Sequence, residues 1–558
     1  LEGGLGTGYY KLEPLPVPEF KHLVPVGKLP SRSVPVAVSG PNYTVKMCPE
    51  FAAFVDENIV DCSPVYAKSD CERVRPVLAD LKASIAKCDV PCVTPSVNDP
   101  AYFHAMELAW QMLKDDLTVT LDIDPKRLSE FNLSASAGYP YTSYGFRDKA
   151  SAFESPIFKD LVSRLDYIPL DTVNSKDEFL TLSDLARHKL RTTFGAPLDK
   201  VCKQKFLFDQ QNANIIKSST RKWIQYGMTK QYGGFHRVVQ ALENFTHVVQ
   251  SDASGWDRVA YLEPVYDLRL RGLKYPDVFQ DFVNDTVFHT VHPTILLPDG
   301  SVYIRVTGND SGGNNTASDN SILHLVIVLH LLVVAFYRKY AEYPCLDDIL
   351  YNALVYLYSD DKLGGINLEY FGLDTESFAS LETEIYALYG MVIKPSSVLV
   401  TKVVNHVHPD HEFLGSFCVF DPDTARYIPY PRIGKVCASI TRVGLNNELT
   451  PVEHFMKVLQ LTLLSYKDDV VFDVLSHYVH YLIHKSSNDP AFVEVLSANS
   501  LDSFTPRKVL SYHLGWEQRP ELSADEPDES GDRLSFSYSS LNLMSDVPPG
   551  GVLGNFSC

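Results

Sequence analysis

Seventeen consecutive residues, SILHLVIVLHLLVVAFY from Ser321 to Tyr337, are almost continuously apolar. Such a run is at home either in a bilayer or at the centre of a large core. It is slightly short for a membrane span. The polar run TASDN leads into it, and Arg338 and Lys339 close it. The reading is a helix apolar on all sides, buried in protein, with His324 and His330 as core histidines and no intrinsic transmembrane span. A chain of 558 residues is long enough to enclose it. That length fits two to four structural units or one multi-lobed enzyme.

Hydrophobic content of 45% and charged content of 21% are those of a globular protein. No basic, apolar, small-residue leader pattern opens the chain, and the scattered cysteines form no CxxC pair. Reduced thiols in a cytosolic environment are expected. The first residue is Leu, which fits a chain cut from a precursor. A net charge of -19 argues against a protein that simply coats nucleic acid. The charge is uneven, however. Ten Lys/Arg against two Asp lie between Ala186 and Lys230, and seven Asp/Glu against one Arg between Pro520 and Cys558. The first stretch is a candidate phosphate-facing surface; the second reads as a solvated acidic tail.

Directly downstream of the apolar run, LVYLYSDDKLGG ends an apolar strand on two adjacent carboxylates, Asp360 and Asp361. Unpaired buried carboxylates are costly, and a cation removes the cost. Hard divalent ions take oxygen ligands, so a tight hairpin bearing an Asp pair is a plausible metal seat. A second apolar strand, in THVVQSDASGWDR, ends at Asp252, with Asp257 after a turn. Between the two lies TGNDSGGNNTASDN, a Gly-rich loop entering the apolar helix. Its glycines allow close backbone approach to a ligand. Thr316 and Asn320, four apart, share a helical face.

Three patterns in this order, Asp252/Asp257, then Ser311/Gly312/Thr316/Asn320, then Asp360/Asp361, resemble the palm motifs of the RNA-dependent RNA polymerases of positive-strand RNA viruses. The likeness is to the picornavirus-like enzymes and to the astrovirus and sobemovirus-like supergroup. SASAGYPY is similar to a fingers segment of that family, KDE with Lys189 and Arg191 to its triphosphate-handling motif, and EFLGSF to its primer-grip turn. One departure is Ser359, where most relatives of this group carry Gly before the Asp pair.

The resemblance implies an α+β right-hand polymerase fold, with an antiparallel palm sheet flanked by helices and a mostly helical thumb. The expected layout is an extended segment 1–45 bridging fingers and thumb, fingers 46–240, palm 241–430 with a fingers insertion at about 260–300, thumb 431–515, and an acidic disordered tail 516–558. It implies nucleotidyl transfer from ribonucleoside triphosphates to an RNA 3′ end on an RNA template. Mg²⁺, with Mn²⁺ as a substitute, is held by Asp252, Asp360 and Asp361. Lys394, with Lys402 as rival, is the candidate general acid. Asp257, Ser311, Gly312, Thr316 and Asn320 contact the nucleotide, and Lys176, Lys189 and Arg191 its phosphates. The basic stretch, with Lys200, Lys203, Lys205, Arg221 and Lys222, either tracks RNA phosphates or forms a solvated face, and Tyr139 and Tyr141 either stack on bases or pack within their loop. Expected partners are RNA template and primer and other viral replication proteins, in host cytoplasm at membrane-associated replication complexes.

Two other readings stand beside this one. A reverse transcriptase shares a palm and a Y-x-DD turn, but generally has a bulky aromatic where this chain has Asp257. A catalytically inactive RNA-binding replication protein would be favoured by loss of Asp252 or Asp360, and both are present.

Overall fold

The computed structural model describes residues 9–498 apart from short internal segments, the longest being 31–45, 75–82, 122–132, 185–191 and 444–448. The architecture is mixed α+β, with several separate sheets among helices. The expected acidic tail lies outside the described residues.

The apolar run forms the helix Thr316–Tyr340, and nearly every side chain from Ser318 to Phe336 is buried. Pro100–Leu117, Thr375–Ala387 and the strand Ala353–Tyr358 pack around it. This helix is therefore the core of the largest hydrophobic cluster. Both histidines are buried core residues, His330 with Nδ1 3.1 Å from the Tyr389 hydroxyl.

Against this helix lies a four-stranded antiparallel sheet, in the order Ala353–Tyr358, Asp361–Ile366, His247–Gln250, Leu399–Lys402. The first two strands form a tight hairpin in which Tyr358 faces Asp361. Register with the third pairs Leu363 with Gln250 and Ile366 with His247. Gly365 is required here by close approach: a Cβ would stand 2.6 Å from the Phe245 ring.

A five-stranded sheet takes in Val24–Lys28, Ser301–Ile304, Thr294–Leu296, Leu170–Ser175 and Thr192–Gly195 in that order. The described part of the extended N-terminal segment thus wraps onto a distant region, and Tyr10 packs on Tyr139 and Tyr167. The C-terminal helices Ile433–Thr441, Pro451–Leu464, Asp469–Lys485 and Pro490–Ala498 build a separate core. Phe51, Phe54 and Val65 are buried in that core rather than with the chain that follows them. The apolar faces of Pro49–Glu57 and Ser63–Lys68 find their cover on these helices.

The first turns of the long helix carry its polar load. Asp319 receives Arg269 Nε at 2.7 Å and the Tyr266 hydroxyl at 2.8 Å. The guanidinium also donates to Gln211, Asn212 and Ser318. Neither charged side chain is more than 1% exposed. Removing one member leaves the other buried without its partner, at a cost of about 3–5 kcal/mol. Asp319→Ala is therefore expected to lower stability by that amount, read as a shift of the denaturant midpoint of the full chain.

Candidate active site

The hairpin turn consists of Ser359 and Asp360. Ser359 sits in the left-handed region at φ 58°, where a side chain is strained. Its three polar groups are all used. The amide donates to Ser321 Oγ at 2.8 Å, and the carbonyl accepts from His324 Nδ1 at 3.2 Å. The hydroxyl oxygen accepts from Asn320 Nδ2 at 3.1 Å.

Sheet register brings the acidic residues together. Carried two residues beyond Leu363–Gln250, it sets Asp361 opposite Asp252. Asp252 is exposed, and Asp360 and Asp361 are partly exposed, so the group opens to solvent. The Asp361 carboxylate accepts a hydrogen bond from the Leu414 amide at 2.6 Å. Burial pushes its pKa up to about 7, overriding that hydrogen bond, and the charges of Asp360, Glu412 and Asp252 add to the rise. An all-oxygen set of mutually repelling carboxylates fits a hard divalent cation and suits soft metals poorly.

Asn320 joins the three motifs. Besides Ser359, its amide donates to Asp257 Oδ1 at 3.2 Å, while its carbonyl accepts from Asn309 Nδ2 at 2.9 Å. Asp257 itself is exposed. Thr316 points back into the loop, donating to the Asp310 carbonyl at 2.5 Å. Gly312 passes so close to Phe194 that a Cβ would stand 2.4 Å from its carbonyl oxygen. Ser311 lies outside the described residues, as do Lys176, Lys189 and Arg191.

Lys394 is exposed. Its segment runs beside the loop after Asp252, where the Ser254 amide donates to the Val392 carbonyl at 3.0 Å. Lys402 pairs with His247 at the far end of the same sheet, and Leu399 pairs with Gln250 at the carboxylate end. Lys402 therefore lies at the end of the sheet away from the carboxylates, while Lys394 precedes the strand on its carboxylate side.

Several expected RNA contacts are corrected by burial. Tyr139 and Tyr141 are core residues, and the Tyr141 hydroxyl donates to Asp199 at 2.9 Å, so neither ring offers a face to a base. Lys200 is buried between Asp171 and Asp310. Lys203 is buried against Asp285 and the Arg164 carbonyl, and Lys205 against Asp209. Lys222 pairs with Asp116 at 2.7 Å. These amines neutralise the protein's own carboxylates. Arg221 remains exposed.

Four supporting residues carry no motif signal. Arg305 donates to Asp310 Oδ1 and to the Asp257 carbonyl, both at 3.0 Å, and so ties the Gly-rich loop to the Asp257 segment. Burial would raise the Asp310 carboxyl, but Lys200 and Arg305 hold it below the usual range. Lys230 donates to the Leu414 carbonyl at 2.8 Å and Ser416 Oγ at 3.2 Å, under the turn that docks on Asp361. Burial brings its pKa down to about 8, against the pull of Asp361 and Glu412. Beneath the hairpin, Lys362 is paired with Glu382. A separate group, Cys48, Glu50 and His454, has metal-type donors within 4.8 Å of one another. Its His454 Nε2 is engaged by the Tyr478 hydroxyl at 2.7 Å, and Lys457 stands close by, which disfavours a cation there.

Residues 118–407 match the family model described as viral RNA-dependent RNA polymerase. Among curated relatives, the genome polyprotein of zucchini yellow mosaic virus (strain Singapore) is 27% identical over 191 residues, 34% of this chain and 6% of that protein. That of pea seed-borne mosaic virus (strain DPD1) is 28% identical over 216 residues, 37% and 7% respectively. That of watermelon mosaic virus II (isolate USA) is 23% identical over 298 residues, 50% and 28%. The chain thus spans less than a third of the length of each of these relatives.

The raised Asp361 carboxyl has a signed consequence. Its folded-state pKa lies above the unfolded value, so it takes stability away as pH rises from the unfolded pKa to about 7. Asp361→Asn is expected to raise the melting midpoint of the metal-free protein more at pH 8 than at pH 5. Mg²⁺ is expected to raise the wild-type midpoint at pH 8 and the variant's less, by differential scanning fluorimetry.

Proposed function

The chain belongs to the family of viral RNA-dependent RNA polymerases, and we propose that it extends an RNA 3′ end with ribonucleotides on an RNA template. The observation that carries this reading is the meeting of Asp252, Asp360 and Asp361 at one solvent-open end of the sheet. Asp252 and Asp360, assisted by Asp361, would hold Mg²⁺, with Mn²⁺ as a substitute. Bound there, a pair of such ions supplies stabilisation of the attacking and leaving oxygens of an in-line phosphoryl transfer.

The remaining roles belong to the chain's own side chains. Asp257 is exposed and presents a polar group suited to a 2′-hydroxyl, and the fully buried Asn320 orients it through their hydrogen bond. A deoxynucleotide offers Asp257 no hydroxyl to bind, which favours ribonucleotides. This speaks against a reverse transcriptase. Thr316 and Gly312 shape the loop beside Ser311. Lys394 is the candidate donor of a proton to departing pyrophosphate, and Lys176, Lys189 and Arg191 the candidate counter-charges for the triphosphate.

The layout proposed is a right hand: fingers formed mainly by residues up to 240, palm by 241–430, and thumb by 431–515 together with 48–68. The segment 1–45 would bridge fingers and thumb. RNA template and primer and other viral replication proteins are the proposed partners, at membrane-associated replication complexes in host cytoplasm.

Primer extension on a polyribonucleotide template tests this. Extension is expected with ribonucleotides and Mg²⁺, and none with chelator. Asp252→Asn, and Asp360→Asn combined with Asp361→Asn, should each lower the rate by about 10³-fold, roughly 4 kcal/mol of transition-state stabilisation. Persistent synthesis in either would refute the site. Asn320→Ala should narrow discrimination against deoxynucleotides by about 10-fold or more, the worth of one hydrogen bond; unchanged discrimination would remove Asn320 from sugar selection.

A further inference from the structure

Strand alternation sends successive side chains of Asp361–Ile366 to opposite faces. Asp361 turns toward Leu414 and the acidic cluster. Lys362, next in the chain, turns to the underside of the sheet, where it is 2% exposed. Waiting for it are Glu382 and Tyr386, four apart on one face of the helix Thr375–Ala387.

The contacts form a connected chain. The Lys362 ammonium pairs with Glu382 Oε1 and donates to the Tyr386 hydroxyl oxygen at 3.4 Å, 5.2 Å from the ring centre. Tyr386 Oη lies 2.7 Å from His324 Nε2, and His324 Nδ1 lies 3.2 Å from the Ser359 carbonyl. A carbonyl only accepts, so His324 carries its proton on Nδ1 and Nε2 accepts from the tyrosine. Burial, reinforced by the Lys362 charge, holds His324 down to about 3, which keeps the ring neutral. In the other direction, Ser251 Oγ donates to Glu382 Oε1 at 3.1 Å. Ser251 precedes Asp252; Ser359 and Lys362 bracket Asp360 and Asp361. One helix therefore grips, from below, both strand ends that carry the carboxylates.

Stability does not account for this arrangement. A fully buried ion pair is often no better than well-packed apolar side chains of similar volume. Glu382 Oε2 has no hydrogen-bond partner among the described residues, a further cost. Directional contacts do fix geometry, because each is favourable only within a narrow range of lengths and angles.

We propose that Lys362, Glu382, Tyr386 and His324 are positioning residues that set the separation and orientation of the Asp252 and Asp360–Asp361 strand ends for catalysis. The inference rests on the reading of these aspartates as the metal-holding centre.

The test uses the full chain in primer extension, with melting midpoint, kcat, nucleotide KM and half-saturating Mg²⁺ as readouts. Lys362→Met combined with Glu382→Met replaces the ion pair by apolar groups of similar length. The expected result is a melting midpoint equal to or above wild type, nucleotide KM within twofold, kcat at least 10-fold lower, and half-saturating Mg²⁺ raised at least threefold. Tyr386→Phe deletes only the linking hydroxyl and serves if the double variant fails to fold; its kcat and Mg²⁺ requirement should move the same way by about half as much on a logarithmic scale. Wild-type kcat and Mg²⁺ requirement in folded variants, with Asp252→Asn inactive, would overturn the positioning role alone. Wild-type activity in Asp252→Asn would overturn the metal reading beneath it. A kcat that falls only in step with the folded fraction would likewise overturn the proposal.

Discussion

Everything at the carboxylate end depends on one register, that between His247–Gln250 and Asp361–Ile366. A slip of one residue would exchange the faces of the moving strand. Lys362 would then enter the acidic cluster and Asp361 the underside. The register is held from both faces. Above, the Leu414 amide binds Asp361; below, Glu382 binds Lys362. Gly364 and Gly365 narrow the choice further, since Val249, Val355 and Phe245 occupy the space a side chain would need.

The long helix serves two chemistries along its length. Its middle and end are apolar and anchor the largest core. Its first turns carry Asp319, Asn320, Ser321 and His324, each in a specific hydrogen bond with a neighbouring element. Three of these bonds, from Asn320, to Ser321 and from His324, reach Ser359. The strained backbone there is held by side-chain contacts that a glycine at the same place would only partly retain, since Asn320 binds the hydroxyl itself.

The sequence made the carboxylates, the Gly-rich loop and the buried helix legible, because each is a local pattern with a local physical meaning. Apolar residues running into acidic ones mark a strand end, and an apolar run of helical length marks a core helix. Partnership is a different matter. Lys200 and Lys203 look like a cationic surface in the sequence because their counter-charges, Asp171, Asp310 and Asp285, come from elsewhere in the chain. Tyr139 and Tyr141 look like stacking platforms until the fold buries them, Tyr139 against Tyr10 of the N-terminal segment and Tyr141 beside Asp199. Arg305 and Glu382 belong to no pattern, and only the fold reveals what they hold.

The shared core of Phe51, Phe54 and Val65 with the C-terminal helices has a bearing on how the protein is born. Phe51 leaves the ribosome about four hundred residues before Phe455. At translation speeds of roughly 5–20 residues per second, the early phenylalanines wait about 20–80 s for the surface that will cover them. During that interval they are sticky apolar groups on a tethered, unfinished chain, a natural substrate for chaperones. This core is thus begun with Phe51 and closed only once Phe455 and its neighbouring helices have followed.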